Sequence, residues 1–205
     1  ENWNKIWEES FEPITILDKV MIKAPFHVVN KKYKFEIIIE PKMSFGTGHH
    51  ATTQLMMESM LNICFENKTV LDMGCGTGIL AILAEKMGAT TITAIDNDPQ
   101  CIENTAENIW LNNCQEIEVF HNSKIFANFK TDIILVNIQK NVLIEQMPLY
   151  KSWLNNEGIL LVSGIYEMAV KHITESAKEN GLQYVTHKML NEWCMIQFDL
   201  SKAKA

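Results

Sequence analysis

Val70-Leu-Asp-Met-Gly-Cys-Gly-Thr-Gly78 is an apolar run closed by an acid and three alternating glycines. A second apolar run, Thr91-Ile-Thr-Ala-Ile95, ends on an acid, Asp96, 22 positions after Gly74. A buried strand that ends in glycines lets backbone approach a ligand closely, and an acid at the end of the next strand can accept both hydroxyls of a ribose. The pair points to an adenosine-containing cofactor. The alternative is a turn that only joins a strand to a helix.

The glycine spacing separates the possible cofactors. The dinucleotide fingerprint is Gly-x-Gly-x-x-Gly, in which a helix N-terminus receives a pyrophosphate. Here the third glycine comes one residue early, and Asp72 stands on the strand beside the turn. An acid there suits a cationic ligand better than a phosphate. S-adenosylmethionine has a sulfonium, an ammonium and no phosphate. The spacing resembles motif I of the class I methyltransferases, which makes Asp96 similar to their ribose-binding acid.

Composition narrows the class further. With 205 residues, 47% hydrophobic and 21% charged, the chain is long enough for one globular domain with a small appendage. Eighteen basic against 25 acidic residues leave a net charge of −7, and no dense Lys/Arg cluster follows a phosphate backbone, which disfavours a nucleic-acid partner. Cys64, Cys75, Cys101, Cys114 and Cys194 form no Cys-x-x-Cys pair, so neither zinc nor a disulfide scaffold is expected. A reducing cytoplasm fits that usage. No apolar stretch approaches the roughly 20 residues that cross a bilayer, and no membrane association is expected. The chain opens on Glu1, directly in a helix-like pattern, as a piece of a longer protein would.

Trp3, Trp7 and Phe11 recur every four residues and stop before Pro13, the spacing of one helical face. Ile14 to Phe26 and Lys34 to Glu40 are strand-like runs separated by Asn30-Lys31-Lys32, which predicts a hairpin or small sheet. Leu55, Met56, Met60 and Ile63 predict a helix over about 51–63. Thereafter strands near 68–73, 91–96, 116–120, 131–136, 158–163, 182–188 and 193–199 alternate with helices near 78–87, 98–111, 140–154 and 166–180. That order predicts an α/β, Rossmann-like, doubly wound sheet of seven mostly parallel strands with helices on both faces. The last two strands, joined by the short segment Met189-Leu-Asn-Glu192, should pair antiparallel.

Two further stretches carry candidate chemistry. Pro41-Lys-Met-Ser-Phe-Gly-Thr-Gly-His-His-Ala-Thr-Thr-Gln54 is a glycine-rich loop leading into a helix whose first turn bears hydroxyls. Thr52 and Thr53 suit a ligand or the capping of free backbone donors. The adjacent His49 and His50 lack the carboxylate and spacing of a metal motif, so no metal is expected. The strand Thr131 to Val136 ends at Asn137, which should face the same crevice as Gly74 and Asp96. A helix cap is the competing role for Asn137.

Taken together, Phe45-Gly-Thr-Gly-His-His-Ala-Thr-Thr53, Leu71-Asp-Met-Gly-Cys-Gly-Thr-Gly-Ile-Leu-Ala81, Ala94-Ile-Asp-Asn-Asp-Pro99 and Val136-Asn-Ile138 resemble, in order and spacing, the ribosomal protein L11 methyltransferase family. The resemblance runs from the tryptophan-bearing lead-in to Glu192-Trp-Cys194. It implies S-adenosylmethionine as cofactor, held by Thr53, Gly74, Asp96 and Asn137, with Phe45 as a wall of the pocket. Gly76, Thr52 and Ser123 are weaker candidates. It also implies transfer of methyl groups to lysine side chains and the N-terminal amine of ribosomal protein L11, with Asn137 as the catalytic residue. Residues 1–44 would be an aromatic linker helix with a small β extension, following an absent recognition domain, and residues 45–205 the catalytic domain of a monomer.

Gln139-Lys140-Asn141 departs from the small or apolar residues that often follow Asn-Ile in relatives, which leaves the acceptor side less defined. Other methyltransferase classes stay open. Those acting on RNA or a glutamine side chain usually carry Asn/Asp-Pro-Pro-aromatic here, and Asn137-Ile-Gln-Lys140 has neither proline nor aromatic. A small-molecule amine as acceptor, or a binding module that has lost the reaction, are the remaining alternatives.

Overall fold

A computed structural model describes residues 12–40, 48–121 and 129–200. The predicted helix at Trp3 to Phe11, and the candidates Phe45 and Ser123, lie outside the described residues. Two sheets organise the rest. The strands β1 (Ile14–Ile16), β2 (Val20–Lys23) and β3 (Phe35–Ile38) form the smaller. The larger contains β4 (Thr69–Met73), β5 (Thr91–Asp96), β6 (Ile117–His121), β7 (Thr131–Asn137), β8 (Leu154–Tyr166), β9 (Gln183–Leu190) and β10 (Trp193–Asp199), in the order β6-β5-β4-β7-β8-β10-β9. Only β10 runs against its neighbours, pairing antiparallel with β8 and β9. The seven mostly parallel strands and the antiparallel last one are as the sequence predicts.

Alternation along the strands sends side chains to two separate cores. Val70, Ile133 and Leu135 face one core with α1 (Ala51–Met60) and α2 (Ile79–Lys86). Leu71, Ile134 and Val136 face the other, with α4 (Lys140–Trp153) and α5 (Val170–Glu179). Between them in sequence, α3 (Pro99–Leu111) follows β5 and is capped by Asp98, whose carboxylate accepts from Gln100 N at 2.9 Å. The small sheet joins the first core. Ile16, Val20, Ile22, Ile37 and Ile39 are buried in one cluster with Met56 and Ile79, so the packing is continuous between the β extension and the larger sheet.

Three details differ from the sequence expectations. The hairpin turn lies inside the first run, at Leu17-Asp18, both with positive φ, and Lys19 N donates to Ile16 O. No glycine or Asn-Gly marks this turn, so its chemistry was invisible; β3 then pairs parallel with β2 rather than forming the second arm. β8 starts directly at Leu154 instead of near 158 and is irregular against β7, where Asn155 Nδ2 donates to Asp132 Oδ1 at 2.8 Å. β9 runs on to Leu190, beyond the expected 188, so that Leu190 pairs with Trp193 at the start of β10 and Asn191 takes the left-handed conformation between them.

Shared packing makes a specific prediction about unfolding. Ile37→Ala, at a fully buried small-sheet position, should cost about 2–5 kcal/mol. Urea titration followed by far-ultraviolet circular dichroism and by tryptophan fluorescence should give one coincident, shifted transition; a separate early transition would show that the small sheet melts alone.

Candidate active site

The carboxyl ends of β4, β5 and β7 lie side by side, with Met73 opposite Ile95 and Val136 in register. Beyond β4 the chain turns through Gly74, Gly76 and Gly78, with φ of 73°, 57° and 76°. A Cβ at Gly74 would lie 2.5 Å from Ile138 Cγ2, and one at Gly78 would lie 2.7 Å from Thr105 Cγ2. These two glycines are required by both conformation and space.

Hydrogen bonds show what the turn is not. Gly74 N and Cys75 N donate to Ile95 O, Gly76 N to Asp96 Oδ2 at 2.9 Å, and Gly78 N to Cys75 O. At the start of α2, Ala81 N donates to the buried carboxylate of Asp72 at 3.1 Å. An acid thus occupies the place where a phosphate-binding fold leaves helix amides free. Burial pushes Asp72 up to about 7; the Ala81 amide opposes the shift and the nearby Asp96 charge adds to it. A cationic ligand fits these surroundings, whereas a pyrophosphate does not.

Asp96 is partly exposed at the end of β5. Its Oδ2 accepts from Gly76 N and its Oδ1 from Asp98 N at 3.0 Å, which fixes the carboxylate plane. Each oxygen keeps a further acceptor position. That is the capacity needed by two ribose hydroxyls. Burial pushes the neighbouring Cys101 up to about 11, with the charges of Asp96 and Asp98 adding to it. Cys75 is raised still further, first by burial, so neither thiol is a ready nucleophile.

Asn137 ends β7, opposite Ser163 on β8. It is not a helix cap, because α4 is preceded by Gln139, and its amide makes no hydrogen bond among the described residues. Thr53 is buried in the first turn of α1. The cap of α1 is His50, whose ring accepts from Thr52 N and lies 2.8 Å from Thr52 Oγ1. The sequence reading missed this histidine role; it considered the pair only for metal. Among the described residues no group of three His, Cys, Asp or Glu side chains could hold a metal ion.

The sequence reading also missed the wall beyond Asn137. Gly164 brings β8 against Ile138, where a Cβ would lie 2.4 Å from Ile138 O. Two residues further, Tyr166 stacks on Trp193 at 4.1 Å between centroids, and His50 meets the same indole edge-on at 4.7 Å. An isolated glycine in a strand was the available signal. A separate open cavity of about 480 Å³, lined by Lys32, Lys34 and Lys86 among others, lies elsewhere: Lys86 ends α2, opposite the end carrying the glycine turn.

A family model described as ribosomal protein L11 methyltransferase (PrmA) matches residues 1–201. The chain belongs to the ribosomal protein L11 methyltransferase family. It is 46% identical over 200 residues to the ribosomal protein L11 methyltransferase of Porphyromonas gingivalis, covering 96% of this chain and 69% of that relative. Among solved structures, the ribosomal protein L11 methylase of Lactobacillus delbrueckii subsp. bulgaricus superposes with a TM-score of 0.86 at 27% identity, covering 94% of this chain and 99% of the other. The N-methyltransferase NodS of Bradyrhizobium japonicum, solved with S-adenosyl-L-homocysteine, shares the fold at a TM-score of 0.60 and 14% identity, over 74% of this chain and 88% of its own. The protein is an S-adenosylmethionine-dependent methyltransferase of Rossmann-like fold.

Asp72 provides a physical check on the site. Its folded pKa is raised from the ordinary 3.8 to about 7, so between these values the native state binds more protons than the unfolded chain. Stability therefore loses an Asp72 contribution as pH rises through that window. Asp72→Asn keeps an oxygen for Ala81 N without a charge. The stability of Asp72→Asn relative to wild type should rise between pH 4 and 8 in urea titrations; a constant difference would contradict the assignment.

Proposed function

We propose that the protein transfers methyl groups from S-adenosylmethionine to amino groups of ribosomal protein L11, both lysine side chains and the N-terminal amine. The observation that carries this reading is the convergence of Asp96, the glycine turn and Asn137 at neighbouring carboxyl ends of β5, β4 and β7. S-adenosylmethionine supplies an electrophilic methyl on sulfur. Asp96 would hold the ribose, Gly74 and Gly76 would make room for the methionine portion, and Thr53 would line the pocket. The buried carboxyl of Asp72 lies beneath the turn and accepts from Ala81 N.

Protonation is the first barrier to amine methylation. With a lysine pKa near ~10.4, roughly 0.04% is neutral at pH 7, a cost on the order of 4–5 kcal/mol. Desolvation lowers an amine's pKa, and the stacked Tyr166 and Trp193 with His50 supply an aromatic surface against which an amine would lose part of its hydration. The proton leaves to water before transfer, so no charged base is needed. Asn137 Oδ1 accepts from the amine N–H and aims the nitrogen lone pair at the methyl, without an anion that would hold the ammonium form. Alignment of this kind supplies much of the rate of a displacement.

Residues 1–44, as a linker helix with a small β extension, would present the acceptor to a catalytic domain of residues 45–205. The five free cysteines suit a reducing cytoplasm, and no described helix is long and apolar enough to cross a membrane. A monomer acting on protein without contacting nucleic acid fits the net charge of −7.

Asn137→Ala should lower turnover on ribosomal protein L11 by about a hundredfold at saturating cofactor. Asp96→Ala should weaken cofactor binding by about a hundredfold, from two lost hydrogen bonds to a charged group. Calorimetry with S-adenosylhomocysteine and steady-state kinetics measure the two effects. Wild-type turnover in Asn137→Ala would remove its catalytic role.

A further inference from the structure

Asn104, Thr105, Asn108 and Asn112 share a buried strip of α3 and its C-terminal cap. Buried amides are costly unless both ends are bonded, and Thr105, Asn108 and Asn112 are bonded to main chain from two distant segments. On one side, Thr105 Oγ1 donates to Gly76 O at 2.9 Å and Asn108 Nδ2 donates to Thr77 O at 2.9 Å. On the other, Asn108 Oδ1 accepts from Glu40 N at 2.9 Å. Asn112 bonds the small sheet and its own helix: its Oδ1 accepts from Ile38 N at 2.9 Å, and its Nδ2 donates to Ile38 O at 2.6 Å and to Asn108 O at 2.8 Å. Because β3 is the edge strand of its sheet, Asn112 acts in place of a missing neighbour.

Asn108 differs in bonding both segments at once. One amide group fastens the glycine turn through Thr77 and the strand continuation through Glu40. Glu40 is the residue from which the chain enters the glycine-rich segment, and the described chain resumes at Gly48, just ahead of Thr53. We propose that Asn108 is a positioning residue for cofactor binding, setting the glycine turn and the root of that segment in one fixed relation. It touches neither cofactor nor acceptor and acts through main chain. Loss of its amide removes the bonds to the buried Thr77 carbonyl and to the half-buried Glu40 N–H, while the bond from Thr105 to Gly76 O remains.

The proposal rests on the reading that Gly74 and Gly76 carry the cofactor. Asn112→Ala is the matched control, since it removes main-chain bonds to the same strand and none to the turn. Asn108→Ala should raise the dissociation constant of S-adenosylhomocysteine and the KM for S-adenosylmethionine by about tenfold, with kcat at saturating cofactor within about threefold of wild type. Asn112→Ala should lose comparable thermal stability and leave cofactor affinity within about twofold. Equal effects of the two substitutions on affinity, or none for Asn108→Ala, would overturn the proposal. Full affinity in Asp96→Ala would instead remove the underlying reading of the site. Should Asn108→Ala fail to fold, hydrogen exchange of the unsubstituted protein decides: S-adenosylhomocysteine should slow exchange of the Glu40 amide, and an unchanged rate would contradict the coupling.

Discussion

Between β4 and α2 the chain must reverse beside two other strand ends with no room for a side chain. Ile138 closes one side of the turn at Gly74 and Thr105 closes the other at Gly78. The amides of Gly74, Cys75, Gly76 and Gly78 are spent on Ile95 O, Asp96 and Cys75 O, and that of Ala81 in the first turn of α2 is spent on Asp72. A surface built in this way presents acceptors and negative charge instead of free N–H groups. Its preference for a cationic adenosine derivative over a nucleotide phosphate follows from that arrangement.

The same constraint organises the neighbourhood. Asp96 holds Gly76 while leaving acceptor capacity free, and Asn137 stands at the end of β7, two strands away. Thr53 enters from α1, whose cap is His50, and His50 in turn packs on Trp193. The cofactor side and the aromatic wall are thus linked through one short segment of chain. Asparagines on α3 connect that arrangement to the small sheet.

Much of this was legible in the sequence because each signal had a local cause. Apolar strands bounded by glycine or an acid, and helices with apolar spacing, placed the seven strands of the large sheet and the site residues Gly74, Asp96 and Asn137 at one crevice. The glycine spacing and Asp72 separated the cofactor classes before any geometry was known. Features made by long-range contact were hidden. The turn at Leu17-Asp18 has no turn-forming glycine, and β3 pairs parallel with β2, a choice that strand pattern alone does not encode. The stacking of Tyr166 on Trp193 joins residues 27 positions apart, brought together by the pairing of β8 with β10. Asn108 reads as an ordinary helix residue until Glu40 and Thr77 are seen on either side of it.

Methyl transfer to the amines of ribosomal protein L11 is the central claim, and intact mass spectrometry addresses it directly. Free ribosomal protein L11 incubated with S-adenosylmethionine and the longest form of this enzyme should gain mass in steps of one methyl group, with the additions mapping to lysine side chains and the N-terminal amine. An unchanged mass, under conditions where S-adenosylmethionine binding is demonstrated, would contradict the assignment and direct the search to another amine.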